Sequence, residues 1–226
     1  MSVTIGGVEY VAPDGSPVAV YRALPAEPAL GYVRSLLGGP ASILDLGCGP
    51  GRLANPLAAD GHQVVAVDDS AAMLAHVTGA ETVLADVWGL ELGRRFDLIL
   101  ALSHLVNESE RSRRVGLLRV CRAHVRARGA VLVQRYPPGW NPGEGTSDVG
   151  DVRAHLHDVA HHDDGSFSAV VTYRLGEQEW DQPFTARVVD DVELAGLAAS
   201  TGFVVGETID ADGAWVVLRP DGDADP

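Results

Sequence analysis

ILDLGCGPGRLA, residues 43–54, begins as an apolar run and breaks after Asp45 into three glycines two positions apart, Gly47, Gly49 and Gly51. A short, continuous run of Ile and Leu reads as a strand buried on both faces of a parallel sheet. Glycines at its end leave backbone amides bare, and the helical stretch that follows offers an N-terminus. Such a turn is suited to hold a polar or anionic ligand.

Working outward, further strand-like runs occur at 63–68, 81–86, 96–102 and 129–136, with 42–47 as the first. Between them lie helical stretches at 51–61, 70–79 and 108–129, each bounded by turn or cap residues. This alternation predicts an α/β fold with a doubly wound, mostly parallel sheet. Ahead of it, residues 17–40 read as a helical segment broken by Pro25 and Pro28, with Leu30, Val33, Leu36 and Leu37 on one side. After Pro137 the order changes. Residues 137–151 are rich in Pro, Gly and acidic side chains and form a loop long enough to be a candidate active-site segment. Extended runs at 152–161, 166–175 and 178–189, joined by turns, predict an antiparallel hairpin region inserted after the fifth strand. A capped helix at 190–202 and strands at 203–208 and 214–219 complete a seven-stranded sheet. The reading is one domain over 1–220, in which 151–190 cover the active site, and an acidic, disordered tail at 221–226.

At 226 residues with 46% apolar content the chain supports one sizeable core. Its net charge of −14, carried with arginines and no lysine, argues against long contact with phosphate backbones. Nucleic acid is therefore not an expected partner. No apolar run reaches about 18 residues and the first residues lack a basic region followed by an apolar one, so a cytoplasmic protein without a membrane partner is expected. Cys48 and Cys121 show no C-x-x-C spacing and are read as reduced thiols.

Two functions use a glycine turn of this kind: cradling a dinucleotide pyrophosphate, and holding the amino-acid and ribose part of S-adenosylmethionine (SAM). The dinucleotide pattern is G-x-G-x-x-G, whereas residues 47–51 read G-x-G-x-G with Asp45 ahead. Asp68 ends the next strand run and Asp86 the third, so acidic residues recur at the edge where open α/β sheets bind ligands. In these features, over about residues 18–136, the chain resembles the class I SAM-dependent methyltransferases. The resemblance implies that Asp45, Gly47, Gly49 and Gly51 belong to a first cofactor-binding motif, the glycine backbone facing the methionine moiety. It implies that Asp68 takes the ribose hydroxyls with Asp69 and Met73 nearby, and that Asp86 accepts from the adenine amino group with Val87 and Trp88 beside the ring. Tyr21 or Arg22 would meet the methionine carboxylate.

Methyl transfer from a sulfonium needs alignment, exclusion of water and a deprotonated acceptor. The acceptor belongs beyond the fourth strand, where Ser103 and His104 follow directly. Ser103 is assigned to the cofactor side. His104 is the candidate general base, since imidazole takes a proton near neutral pH; positioning and structural roles stay open beside it. That position carries no carboxylate set for magnesium, and no metal is expected. The acceptor side is assigned to Arg135, Tyr136 and Trp140, together with His155 and His157, which share a strand face with His161 by period two. The arginines between 111 and 128 are read as a solvated helix face. The function expected is methyl transfer from SAM to an oxygen or nitrogen of a small molecule, in secondary metabolism. Two rivals remain: a SAM-binding fold without methyl transfer, and an NAD-dependent oxidoreductase. The sequence names neither the acceptor nor the oligomeric state.

Overall fold

Strand β1 (Ser42–Leu46) places Leu44 and Leu46 on one face and Ile43 and Asp45 on the other, and all four are buried. The computed structural model describes residues 11–222 and shows β1 paired in parallel on both sides, with β2 (Gln63–Asp68) and with β4 (Phe96–Ala101). The remaining strands of this sheet are β3 (Glu81–Leu84), β5 (Val125–Gln134), β10 (Phe203–Thr208) and β11 (Trp215–Pro220). The seven strands run in the order β10-β11-β5-β4-β1-β2-β3, and only the pairings of β11 with β5 and with β10 are antiparallel. Strand order reverses at β1, so a crevice opens beyond its C-terminal end, the place where open α/β sheets bind ligands.

Helices cover both faces. Leu44, Leu46, Ile99 and Val131 pack with Leu117, Leu118 and Cys121 of α5 (Arg111–His124) and with Leu194 and Leu197 of α6 (Asp191–Ser200). On the other face Ile43, Val64, Leu98 and Leu132 meet Leu30 and Val33 of α2 (Ala29–Ser35) and Leu57 of α3 (Ala54–Ala59). Short helices α1 (Val18–Ala23) and α4 (Ala71–Leu74) flank the crevice. No helix of the described residues is long and apolar enough to cross a membrane.

The inserted region is a second, four-stranded antiparallel sheet of β6 (Gly145–Val149), β7 (Val152–His161), β8 (Ser166–Leu175) and β9 (Gln178–Arg187). Strand β6 lies within the expected loop, where its Gly, Thr, Ser and Asp gave no apolar signal. Two other boundaries differ from the sequence reading. The third strand stops at Leu84, two residues short of Asp86. Helix α5 ends at His124, and 125–128 begin β5, because Arg126 and Arg128 point out while Val125 points in, a period of two rather than 3.6. Gly129 is required there: a Cβ would come within 2.8 Å of Asp97 O and 3.0 Å of Phe96 O in the neighbouring strand. The readings of the first ten residues and of the tail beyond 222 lie outside the described residues.

Candidate active site

A cavity of about 460 Å³ occupies the crevice. Its floor is the glycine turn and the ends of β1, β2 and β4, and its roof is the turn at 12–16, α1, β8 and β9. Gly47, Gly49 and Gly51 all have positive φ, at 65°, 55° and 83°. Gly47 and Gly49 line the cavity, and nothing lies within 4 Å of where a Gly49 Cβ would be. Gly51 does not line it: its Cβ would meet Asn55 Oδ1 at 2.5 Å, so this glycine serves the packing of the turn rather than contact with a ligand.

Asp45 is 4% exposed. Burial pushes its carboxyl up to about 7, with the Arg52 guanidinium opposing the rise and the Asp68 charge adding to it. Asp68, the last residue of β2, accepts from the Gly49 amide through Oδ2 at 2.8 Å and from the Ser70 amide through Oδ1 at 2.9 Å. It therefore braces the glycine turn while facing the cavity, and burial raises its pKa against those two bonds. Ser70 caps α4 by accepting from Met73 N, and Met73 is buried in the cavity wall beside Asp69. Asp86 caps the short 3-10 turn Val87–Gly89, accepting from Trp88 N at 3.0 Å, and it lines the cavity with Val87 and Trp88. The Arg113 guanidinium sits 4.5 Å over the Trp88 ring and pairs with Glu108 at 3.1 Å.

Beyond β4, Ser103 and His104 both hold left-handed backbone, with φ of 52° and 63°. Consecutive residues in this region store strain that their surroundings must hold. Ser103 N donates to Gln134 Oε1 at 3.0 Å. The His104 ring stacks on Tyr136 at 4.2 Å, and Tyr136 stacks in turn on Trp140 at 4.6 Å. Burial lowers the imidazole to about 4, with the Asn107 amide opposing, so the ring is neutral throughout the neutral range. Its Nδ1 is buried with no hydrogen-bond partner among the described residues. Asn107, 1% exposed, donates to Arg187 O at 2.7 Å and accepts from Tyr136 N at 3.0 Å, tying the β4 turn, the β5 exit and the end of β9 together. On the roof, Gln182 Nε2 donates to Ser16 Oγ at 3.0 Å, and the Tyr21 and Tyr173 rings meet edge-on at 6.4 Å. Burial raises the pKa of both phenols.

Of the residues assigned from sequence, the cavity brings together Tyr21, Asp45, Gly47, Gly49, Asp68, Asp69, Met73, Asp86, Val87, Trp88, Ser103, His104 and Tyr136. It does not bring in Arg22, which is exposed on α1. Arg135 is also outside: its guanidinium is buried among Gly213 O, Val189 O and Asp191, a structural clamp on the sheet and α6. Trp140 stands one layer behind Tyr136, against Phe167. His155 and His157 lie on the outward face of the second sheet, because the inward positions of β7 belong to Ala154 and Leu156, in register with Tyr173 and Val171. There His155 bonds Thr146, and His157 bonds Asp158 and Thr172. A bulge between His157 and Ala160 adds one residue and carries His161 to the opposite face. Among the described residues no group of three or more His, Cys, Asp or Glu could hold a metal ion. Of the arginines read as solvated, Arg114 is buried, bonding Glu108 O, Ser109 O and Glu193. Cys48 and Cys121 are buried free thiols whose pKa values burial raises, which suits packing and not nucleophilic work.

The sequence reading missed Arg52, Asn107, Gln134, Tyr173 and Gln182. For Arg52 a signal existed, its place directly after the last glycine; a lone Gln or Tyr on a strand carries none.

A family model described as a methyltransferase domain matches residues 43–129. No curated protein matches the chain. Among solved structures, the CcbJ methyltransferase from Streptomyces caelestis superposes with a TM-score of 0.73 at 20% identity, covering 93% of this chain and 99% of that one. The sugar N-methyltransferase KedS8 from Streptoalloteichus sp gives 0.68 at 18% identity, covering 98% and 99%. SAM-bound CalS10, an amino pentose methyltransferase from Micromonospora echinaspora, gives 0.66 at 18% identity, covering 86% and 89%. The fold is thus that of these methyltransferase structures, and residues 43–129 match a methyltransferase-domain model.

Proposed function

We propose that this protein moves the methyl group of SAM to a nitrogen of a small molecule, with an oxygen acceptor as the alternative. The observation that carries the cofactor half is the crevice itself, in which the glycine turn, Asp68 and Asp86, all within the matched residues, line one cavity. The residues fit the cofactor: Asp45 is a buried carboxylate with no donor among the described residues, and open space faces Gly49. When bound, SAM supplies an electrophilic methyl group on a sulfonium. Asp68 is placed to accept from ribose hydroxyls, and Asp86 and Trp88 to receive the base.

The acceptor half rests on the wall chemistry. The cavity presents Asp14, Asp69, Asp86 and Glu108, and its arginines are Arg52, near Asp45, and Arg113, already paired with Glu108. Such a wall disfavours anionic acceptors and suits amines. The words "sugar N-methyltransferase" and "amino pentose methyltransferase" attached to two similar structures agree with that choice. His104 Nδ1 accepts a hydrogen bond from the acceptor's N–H and aligns its lone pair, the Tyr136 ring holds the imidazole in plane, and the roof keeps out water. The proton leaves the alkylated nitrogen to solvent afterwards. The reading places the protein in the cytoplasm, in secondary metabolism, with a small-molecule partner; the charge of −14 supports leaving nucleic acid aside.

Calorimetry with S-adenosylhomocysteine (SAH), then release of SAH from SAM in the presence of a panel of primary and secondary amines with matched alcohols, tests this. Binding of NAD in place of SAH overturns the cofactor. Turnover confined to alcohols overturns the nitrogen assignment, and SAH binding without turnover on any member favours a fold that holds SAM without transferring its methyl group.

A further inference from the structure

Beyond β4 the chain turns back through two residues that are not glycine. Ser103 and His104 stand in succession with φ of 52° and 63°, a region in which a side chain strains the backbone. The parallel ladder has ended by then, its last pair being Ala101 with Val133. Gln134, the next residue of β5, continues it with a side chain, Oε1 accepting from Ser103 N at 3.0 Å. Ser103 is exposed, so without Gln134 its amide finds water; the bond fixes the path of the turn and is not needed to satisfy a buried donor. Two positions further on, Tyr136 stacks on the His104 ring at 4.2 Å. The exit of β5 thus holds the backbone before His104 with one residue and the face of its ring with another, while Asn107 N donates to His104 O at 2.8 Å from the far side. What this grip directs is the buried Nδ1, which has no partner among the described residues. Gln134 itself does not line the cavity.

We propose that Gln134 is a positioning residue, which fixes the strained turn at Ser103 and His104 so that the imidazole Nδ1 meets the acceptor. This rests on the methyl-transfer reading above and adds to it a residue, outside the cavity, on which alignment of the acceptor depends. A ring placed by a strained turn relaxes when the restraint is removed: the backbone at Ser103 returns to negative φ, and the imidazole leaves Tyr136 for water. Misplacement of an aligning group by about 1 Å costs up to about 100-fold in rate. The glycine turn, Asp68 and Asp86 are not held by Gln134, so the cofactor side of the cavity is unaffected.

Gln134→Met keeps the length of the side chain and removes the accepting oxygen, whereas Gln134→Glu keeps both. The first readout needs no ligand: the His104 Cε1–H signal in proton NMR, assigned by its loss in His104→Ala. With the imidazole at about 4, the parent signal is expected to stay still between about pH 5.5 and 7.5, and in Gln134→Met to titrate there, toward the usual histidine value near 6.5. The titratable groups on the same wall, Tyr136, Glu108 and Arg113, are common to both proteins. The second readout is SAH release from SAM with the panel of primary and secondary amines. Gln134→Met is expected to lose about 10- to 100-fold in kcat with SAH affinity within about threefold, Gln134→Glu to stay within about threefold of the parent, and Gln134→Met to add less than about twofold to the loss in His104→Ala. A ring signal that stays still in folded Gln134→Met, or a loss as large in the His104→Ala background as in the parent, overturns the proposal. So does a lowered melting temperature with both readouts unmoved, which makes Gln134 a structural residue of the turn. A parent that turns over no amine overturns the methyl-transfer reading, and the ring titration then decides the grip of Gln134 by itself.

Discussion

Asp45 makes cofactor binding sensitive to pH in a calculable way. In the free protein its carboxyl sits at about 7, so near neutrality half of the molecules carry it protonated. If the cofactor's ammonium is received by the ionised form, only that fraction is competent. With a pKa of about 7 the competent fraction is roughly one tenth at pH 6 and nine tenths at pH 8, so affinity for SAH rises about tenfold between them. Binding should release about 0.5 proton at pH 7 and about 0.9 at pH 6, because the ligand's charge pulls the bound carboxyl to full ionisation. The charged and titratable groups around Asp45 are Arg52, Asp68 and the Cys48 thiol; the thiol is raised far beyond this range and Arg52 stays charged. Titration calorimetry at pH 6, 7 and 8, in buffers of differing ionisation enthalpy, measures affinity and proton release together. Asp68 is the competing source, since burial raises its pKa as well. 5′-Methylthioadenosine, which keeps the adenosine and the sulfur but lacks the amino-acid end, meets the Asp68 wall without the ammonium and should bind with a flat profile. A flat SAH profile from pH 6 to 8, or the same slope for both ligands, refutes the assignment to Asp45.

The same raised pKa has a stability consequence of definite sign. Folded Asp45 holds its proton from the usual carboxylate range near 4 up to about 7 while the unfolded chain has lost it, so stability falls as pH rises through that window; Asp45→Asn should raise the melting temperature of the cofactor-free protein at pH 8 and change it little at pH 4. Asp68→Ala removes both the proposed ribose acceptor and the brace on Gly49 N, and calorimetry should show a loss of about 1.5 to 3 kcal/mol in SAH affinity. A fall in melting temperature with unchanged affinity would reduce Asp68 to a brace. His104→Ala should keep SAH affinity within about threefold and lower turnover by roughly 10²-fold. With the imidazole at about 4, turnover of the parent should show no histidine limb between pH 6 and 8, and such a limb lost in the variant would restore the general-base role. Asn107→Asp puts an oxygen where the amide donates to Arg187 O, and a fall in turnover at constant SAH affinity is expected; parallel losses in both would contradict a role confined to the acceptor wall.

What the sequence made legible follows the range of the forces involved. The glycine turn and the acidic residues beside it could be placed because local backbone geometry and strand ends are written in neighbouring residues. Parity along β7 was legible as far as His157 but failed at the bulge before His161, and its sign was not legible at all. Alternation says that His155 and His157 share a face, and only packing of Leu156 against the roof decides that the face is outward. Arg135 shows the same limit: a buried arginine that serves three acceptors from distant segments reads in sequence like one aimed at substrate. The start of β5 was hidden by composition, because Arg and Ala favour helices strongly enough to mask a two-residue period. His104 could be put at the crevice by position, yet its low pKa comes from burial beneath segments assembled from far along the chain.

The bond from Gln182 to Ser16 spans 166 positions, and the wall it closes is complete only when the second sheet has formed and returned to the N-terminal turn. Contacts of such long sequence separation form late, since loop closure must precede any gain from them. During synthesis the glycine turn and the strands beside it can associate while the roof is still missing, so the floor of the cavity and its cover arise at different moments of folding. A chain cut short before β9 would lack the roof and, with it, α6, β10 and β11 of the main layer.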